Sequence, residues 1–183
     1  MVTRKSAPTW SDVKAALEDF DRADLLGLLE DLYAARKDNK TFLHARFGLG
    51  GDALKPYKAI IDRWLWPDVF SNQSYSVANA RKPIADYQKD VGDAEGLAEL
   101  MVFYCRHAVG FSSEIGVADK DYFDALLHMF EQALTTVMTL PEAKREHFIS
   151  ELGDIRATGR NLGWGVGSGF NDAWSLIGQK FGD

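Results

Sequence analysis

The stretch from Asp93 to Gly116, DAEGLAELMVFYCRHAVGFSSEIG, constrains the fold more than any other. Leu97, Leu100, Met101, Tyr104, Ala108, Phe111 and Ile115 recur at spacings of three and four, the stripe of an amphipathic helix. Val102, Phe103, Cys105 and Val109 add a second apolar face, so the helix is predicted to be covered on most sides. A helix apolar nearly all round belongs in the middle of a bundle or in a membrane. Its charges at Glu95, Glu99, Arg106 and Glu114 decide for the bundle. Asp93 is the predicted N-cap and Gly116 the predicted stop. A second helix opens near Asp119 and repeats the pattern with Phe123, Leu126, Leu127, Phe130, Leu134, Val137 and Met138. Together the two read as a helical hairpin.

The flanking chain reads the same way. Thr9 with Asp12 resembles a capping box before a short helix carrying Val13, Ala16, Leu17 and Phe20. Asp21 caps a second helix whose Leu25, Leu28, Leu29 and Leu32 are predicted to face the core, with Tyr33 beside them. Phe42, Leu43, Ala45 and Phe47 suggest a third helix ending at Gly48, and GLGG at 48–51 is a breaker. Pro56 fits the first turn of a helix striped by Tyr57, Ile60, Ile61, Trp64 and Leu65, which Pro67 stops. Residues 68–75, DVFSNQSY, are linker-like and mark a possible subdomain boundary. Beyond them a helix with Val77, Ile84, Tyr87 and Val91 is kinked or restarted at Pro83. After the hairpin, Pro141 opens a helix with Phe148, Leu152, Ile155 and Leu162, and a last helix carries Phe170, Trp174, Ile177 and Phe181.

No stretch sustains period-two alternation, so the prediction is an all-α single domain over 1–183. Its eight to nine helices form a compact multi-helix bundle or a short helical-repeat-like array. The array is suggested by one apolar pattern shared by Leu25 to Leu32, Leu97 to Tyr104 and Phe123 to Phe130.

Hydrophobic residues at 46% and charged ones at 26% describe a globular rather than a disordered chain. The start, MVTRKSAPTW, lacks the apolar core of a signal peptide, and no apolar run approaches the ~18 residues a bilayer requires. A cytoplasmic protein without membrane partners is the expectation. Cys105 stands alone and reads as a small buried hydrophobe. The net charge of −6 is localised: residues 93–131 hold eight acids against two bases, leaving the remainder balanced at 19 acids and 19 bases. Without a basic stripe, nucleic acid is not an expected partner.

The segments DLYAARKDNKTFLHARF (31–47), GLAELMVFYC (96–105) and NLGWGVG (161–167) are similar to an uncharacterised family of small bacterial all-helical proteins, a domain of unknown function. The similarity runs through most of the chain. It implies an all-helical fold and a bacterial cytoplasmic setting, and it carries no activity or site residue.

Candidate chemistry is sparse. The histidines are His44, His107, His128 and His147, none four residues from another, and neither His-Glu-x-x-His nor Glu-x-x-His occurs. His128 with Glu131, His107 with Glu114 and His147 with Glu151 share helix faces. An antiparallel hairpin places Tyr104, His107, Glu114 and His128 on two consecutive helices, where a ligand pocket could form. The glycine run GWGVGSG at 163–169 fits no phosphate-loop pattern and reads as close packing, plugged by Trp164. Arg156 and Arg160, four apart before it, predict anionic company: carboxylates of the acidic hairpin or a bound anion. Trp66 and Phe70 belong to an aromatic cluster denser than one helix face can bury, so they are candidates for an interaction surface as well as for plugging the bundle end. Arg36, Lys40, His44 and Arg46 form a basic patch, read as a solvated face or as ion-pair partners of the acidic hairpin. There is no G-x-S-x-G elbow.

These features assign no catalytic residue, no metal and no cofactor. They point to a non-catalytic protein interaction or regulatory helical module, working through a protein partner or self-association. The alternative is a small-ligand- or metal-binding helical enzyme with its pocket between the helices of 94–139.

Overall fold

A computed structural model describes residues 7–49 and 53–181, with backbone alone for Ala45 and residues 179–181. Among the described residues the chain is all-α, with nine helices and no strand. They are α1 (Trp10–Ala16), α2 (Arg22–Ala35), α3 (Lys37–Phe47), α4 (Lys55–Leu65), α5 (Val77–Asp90), α6 (Ala94–Ile115), α7 (Lys120–Met138), α8 (Glu142–Gly159) and α9 (Val166–Phe181).

The ends of these helices follow the capping chemistry written in the sequence. Asp93 accepts the Gly96 amide proton at 2.7 Å and Asp119 those of Asp121 and Tyr122, each satisfying first-turn donors that have no helical partner. Gly116 closes α6 at φ 77°, a conformation open to glycine at little cost. Thr9 with Asp12 and Asp21 with Asp24 form capping boxes. Pro83 lies buried inside α5, which continues through it as one element rather than restarting.

α6 is the centre. Twelve of its 22 residues are buried, and α4, α5, α7 and α8 all pack on it, with α9 closing over α7 and α8. In a repeat array each unit touches only its neighbours, so this arrangement is a bundle. Glycines set some of the closest approaches. A Cβ on Gly159 would stand 2.6 Å from the ring of Phe170, and one on Gly169 would meet Leu127 at the same distance. α8 ends at Gly159, so the predicted Leu162 falls in the connection, where it is half-buried. The side chain of the predicted Phe181 lies outside the described residues, as do Gly50 and Gly51 of the predicted breaker.

The stretch at 68–75 is exposed from Asp68 to Ser74 and anchored at Tyr75. It holds a 3-10 turn, Val69–Ser71, capped by Asp68. Tyr75 at its end donates to Asp119 at 3.0 Å and meets Phe111 and Tyr122 edge-on. α4 and α5 pack directly on each other on either side of it.

The first three helices depart from the sequence expectation. α1 and α2 bury no residue, no described side chain of α3 is buried, and every buried hydrophobic residue among those described lies at Leu54 or beyond. Leu25, Leu29 and Leu32, predicted to face the core, are 40%, 46% and 48% exposed. Periodicity reveals that a helix has an apolar face, not what covers it, and here α4–α9 enclose a core without α2. α2 and α3 pack on each other as a hairpin, joined by Tyr33 Oη and His44 Nε2 at 3.0 Å. Arg46 ties the hairpin to the bundle by donating to the Val91 carbonyl at the end of α5. No helix among the described residues is long and apolar enough to cross a membrane.

Candidate functional site

The predicted pocket residues disperse around α6 and α7. Tyr104 is fully buried, and its hydroxyl has no hydrogen-bond partner among the described residues. Burial raises its pKa well above the ordinary tyrosine value, so it stays protonated. His107, three residues on, points to α4 instead. Its Nδ1 stands 3.0 Å from the Phe103 carbonyl and its Nε2 3.3 Å from Asp62, while its ring stacks on Phe103 and meets the edge of Trp66. Desolvation lowers its pKa below the usual imidazole value, against the opposing pull of the Phe103 carbonyl and Asp62. Such a ring, with both nitrogens engaged and one face stacked on Phe103, is held as a packing group.

Glu114 is exposed near the end of α6. His128 is exposed on α7, where it lines a groove shared with Arg81 of α5 and Asp121 and Asp124 of α7. No hydrogen bond, ion pair or ring contact among the described residues joins any two of Tyr104, His107, Glu114 and His128. Nor does any set of three or more His, Cys, Asp or Glu side chains among those residues converge as metal ligands. Cys105 is fully buried, and burial pushes its thiol pKa up, which suppresses the reactive thiolate.

The acidic hairpin finds cations that sequence spacing did not reveal. Glu99 pairs with Lys58 of α4 at 2.5 Å and Glu95 with Lys144 of α8. Arg106 of the same helix pairs with Glu151 of α8 at 2.6 Å, and His147 stands 3.6 Å from that carboxylate, the one predicted helical pair that forms. These pairs ring a cleft of about 380 Å³ with Phe103 among its lining residues. Its rim alternates in sign and is answered within the chain, so it presents no net field to a charged ligand.

No carboxylate among the described residues pairs with either of the two arginines. Arg156 lays its guanidinium over the indole of Trp174, 4.6 Å from the ring centroid, a cation–π contact. Arg160 is exposed and pairs with no carboxylate among the described residues. The glycine run behaves as packing: Gly167 leaves no room for a Cβ against the backbone of Arg160, and Gly169 seats Leu127. Trp164 is not its plug, since it stands 56% exposed and only stacks loosely on Phe123. In the basic patch near α3, Arg36, Lys40 and Arg46 are exposed, Lys40 lying over the Tyr33 ring and Arg46 donating to the Val91 carbonyl at the end of α5.

Trp66 and Phe70 separate. Trp66 lies against Gly110, where a Cβ would come 2.6 Å from its ring, and its edge meets His107 and Phe111. Phe70 stands 96% exposed on the 3-10 turn.

The largest departure from a satisfied surface is therefore at the other end of the chain. Trp10, Val13 and Phe20 around α1, Leu25, Leu26, Leu29 and Leu32 on α2, and Phe42 and Phe47 on α3 are all exposed. The sequence signal for this surface was present as a stripe on α2. What it lacked was any indication that the stripe stays uncovered. Comparison with known protein families, with curated proteins and with solved structures finds no match for this chain.

Proposed function

We propose that the protein is a non-catalytic interaction module: a closed α4–α9 bundle that carries a helical arm, α1–α3, whose apolar face docks a protein partner. The observation that carries this reading is the set of nine large hydrophobic side chains exposed between Trp10 and Phe47, in a region that buries none of its described side chains. Exposed single hydrophobics are ordinary, whereas a concentration of them in one segment favours a contact surface. An amphipathic helix presenting residues at i, i+4 and i+7, as Leu25, Leu29 and Leu32 do, is the standard anchor pattern for helix docking. The dispersal of Tyr104, His107, Glu114 and His128 favours this reading over a ligand-binding enzyme. Phe70 offers a second apolar point on the bundle, while Trp66 is engaged with Gly110.

The test is site-specific photocrosslinking in cells, with a benzophenone side chain at position 29 and a control at Thr158 on α8. A discrete adduct from position 29, absent from the control and lost when Leu25 and Leu32 become glutamate, is the expected result. Equal labelling at both positions, or none at 29, would overturn the reading.

A further inference from the structure

Building on that docking surface, we infer that its partner is a second copy of this chain, the two arms packing about a two-fold axis with their α2 helices antiparallel.

Charge is the first argument. Residues 9–35 hold seven acids and two bases, whereas residues 36–47 hold four bases and one acid. Glu18, Asp19, Glu30, Asp31, Arg36 and Lys37 make no ion pair among the described residues, although α2 and α3 lie side by side. Glu18 and Asp19 precede α2 and Arg36 and Lys37 follow it, with Glu30 and Asp31 between them, so the two ends of this segment are complementary when it is turned end for end. In the antiparallel arrangement Glu18 and Asp19 before α2 meet Arg36 and Lys37 after it, twice over. A two-fold axis requires this kind of self-matching patch, since each residue's contact is repeated by the partner.

The apolar area is the second. With Trp10 71% and Phe47 67% exposed and the leucines of α2 near half, the exposed apolar side chains of the arm, summed over all its faces, amount to on the order of 800 Å², the area a stable dimer buries per partner. A two-helix hairpin has no interior of its own, and two hairpins stacked face to face make a four-helix bundle, the smallest common helical core. The leucine stripe of α2 then becomes the seam, and Leu25, Leu29 and Leu32 of the two copies interdigitate.

Sedimentation velocity on the full chain across a concentration series at low salt tests the proposal with two charge-swapped variants. One carries Glu18→Lys and Asp19→Lys, the other Arg36→Glu and Lys37→Glu. None of these side chains makes a hydrogen bond or ion pair among the described residues, so both variants keep the folded chain. The expected result is a wild-type monomer–dimer equilibrium, weakened at least about tenfold in each variant alone and restored in their equimolar mixture. A wild-type monomer at ~100 µM, or a mixture no better than its components, would overturn the second-copy proposal. Acrylamide quenching of Trp10, read as the difference between wild type and Trp10→Phe, separates the two levels. A monomer with accessible Trp10 sinks self-pairing and leaves a different protein partner for the arm. A monomer with shielded Trp10 sinks both, because the arm then lies on its own bundle.

Discussion

Tyr104 and Tyr122 are both fully buried, yet their hydroxyls are in opposite situations. Tyr122 donates to the Ala108 carbonyl at 2.8 Å, while the Tyr104 hydroxyl has no partner among the described residues. Removing a satisfied buried hydroxyl forfeits its bond, whereas removing an unsatisfied one relieves a desolvation penalty. Tyr122→Phe is expected to destabilise the chain by about 1 kcal/mol and Tyr104→Phe to leave it unchanged or slightly more stable, as read from chemical denaturation midpoints. A comparable loss in Tyr104→Phe would show that this hydroxyl does have a bonded partner in solution. His107 supplies a pH dependence with a defined sign. Its folded pKa is depressed, mainly by burial, so as pH falls through the ordinary imidazole value of about 6.5 the unfolded chain takes up its proton first. Stability from this group is full above that pH and declines below it until the folded pKa is passed. The wild type should therefore lose more stability between pH 7.5 and 5.5 than His107→Asn, in matched urea titrations.

At the scale of elements, two helices with the same pattern carry different weight. Leu25 to Leu32 and Leu97 to Tyr104 share one apolar spacing, but Leu100 is fully buried in α6 and Leu29 is half-exposed on α2. Leu100→Ala should destabilise by about 2–5 kcal/mol, the range for large-to-small changes that leave a cavity. Leu29→Ala, measured on dilute monomer, should stay within about 0.5 kcal/mol. Equal losses would mean that α2 is covered. The contrast also marks how far the sequence is legible. Helix spans, caps and the burial of α6 follow from local chemistry: Asp93, Asp119 and Gly116 act within a turn of their own positions. What lies between elements does not. The partners of Glu99 and Glu95 stand 41 and 49 residues away, and Arg156 chooses an indole on the next helix over any carboxylate. Tyr104 and His107 share a helix yet no contact joins them, since His107 engages the Phe103 carbonyl and Asp62 while the Tyr104 hydroxyl has no partner among the described residues.

The whole molecule divides its labour unevenly. Among the described residues, all buried hydrophobic side chains belong to the segment beginning at Leu54, and a side-chain hydrogen bond from Arg46 to Val91 joins α3 to the bundle. A core built without contribution from α1–α3 should not need them to stay folded. Removing residues 1–48 forfeits the guanidinium–carbonyl bond from Arg46 to Val91, worth about 1.5–3 kcal/mol for a charged donor in a favourable case and less at a half-exposed site. For a chain of this length, 1 kcal/mol corresponds to a few degrees, so the truncated protein should still melt cooperatively, with its midpoint lowered by no more than about 5 °C. It should also lose concentration dependence in that midpoint, because association stabilises the folded state by mass action only where the interface remains. A truncated chain that melts broadly, or well below this window, would show that the arm supports the bundle's own core.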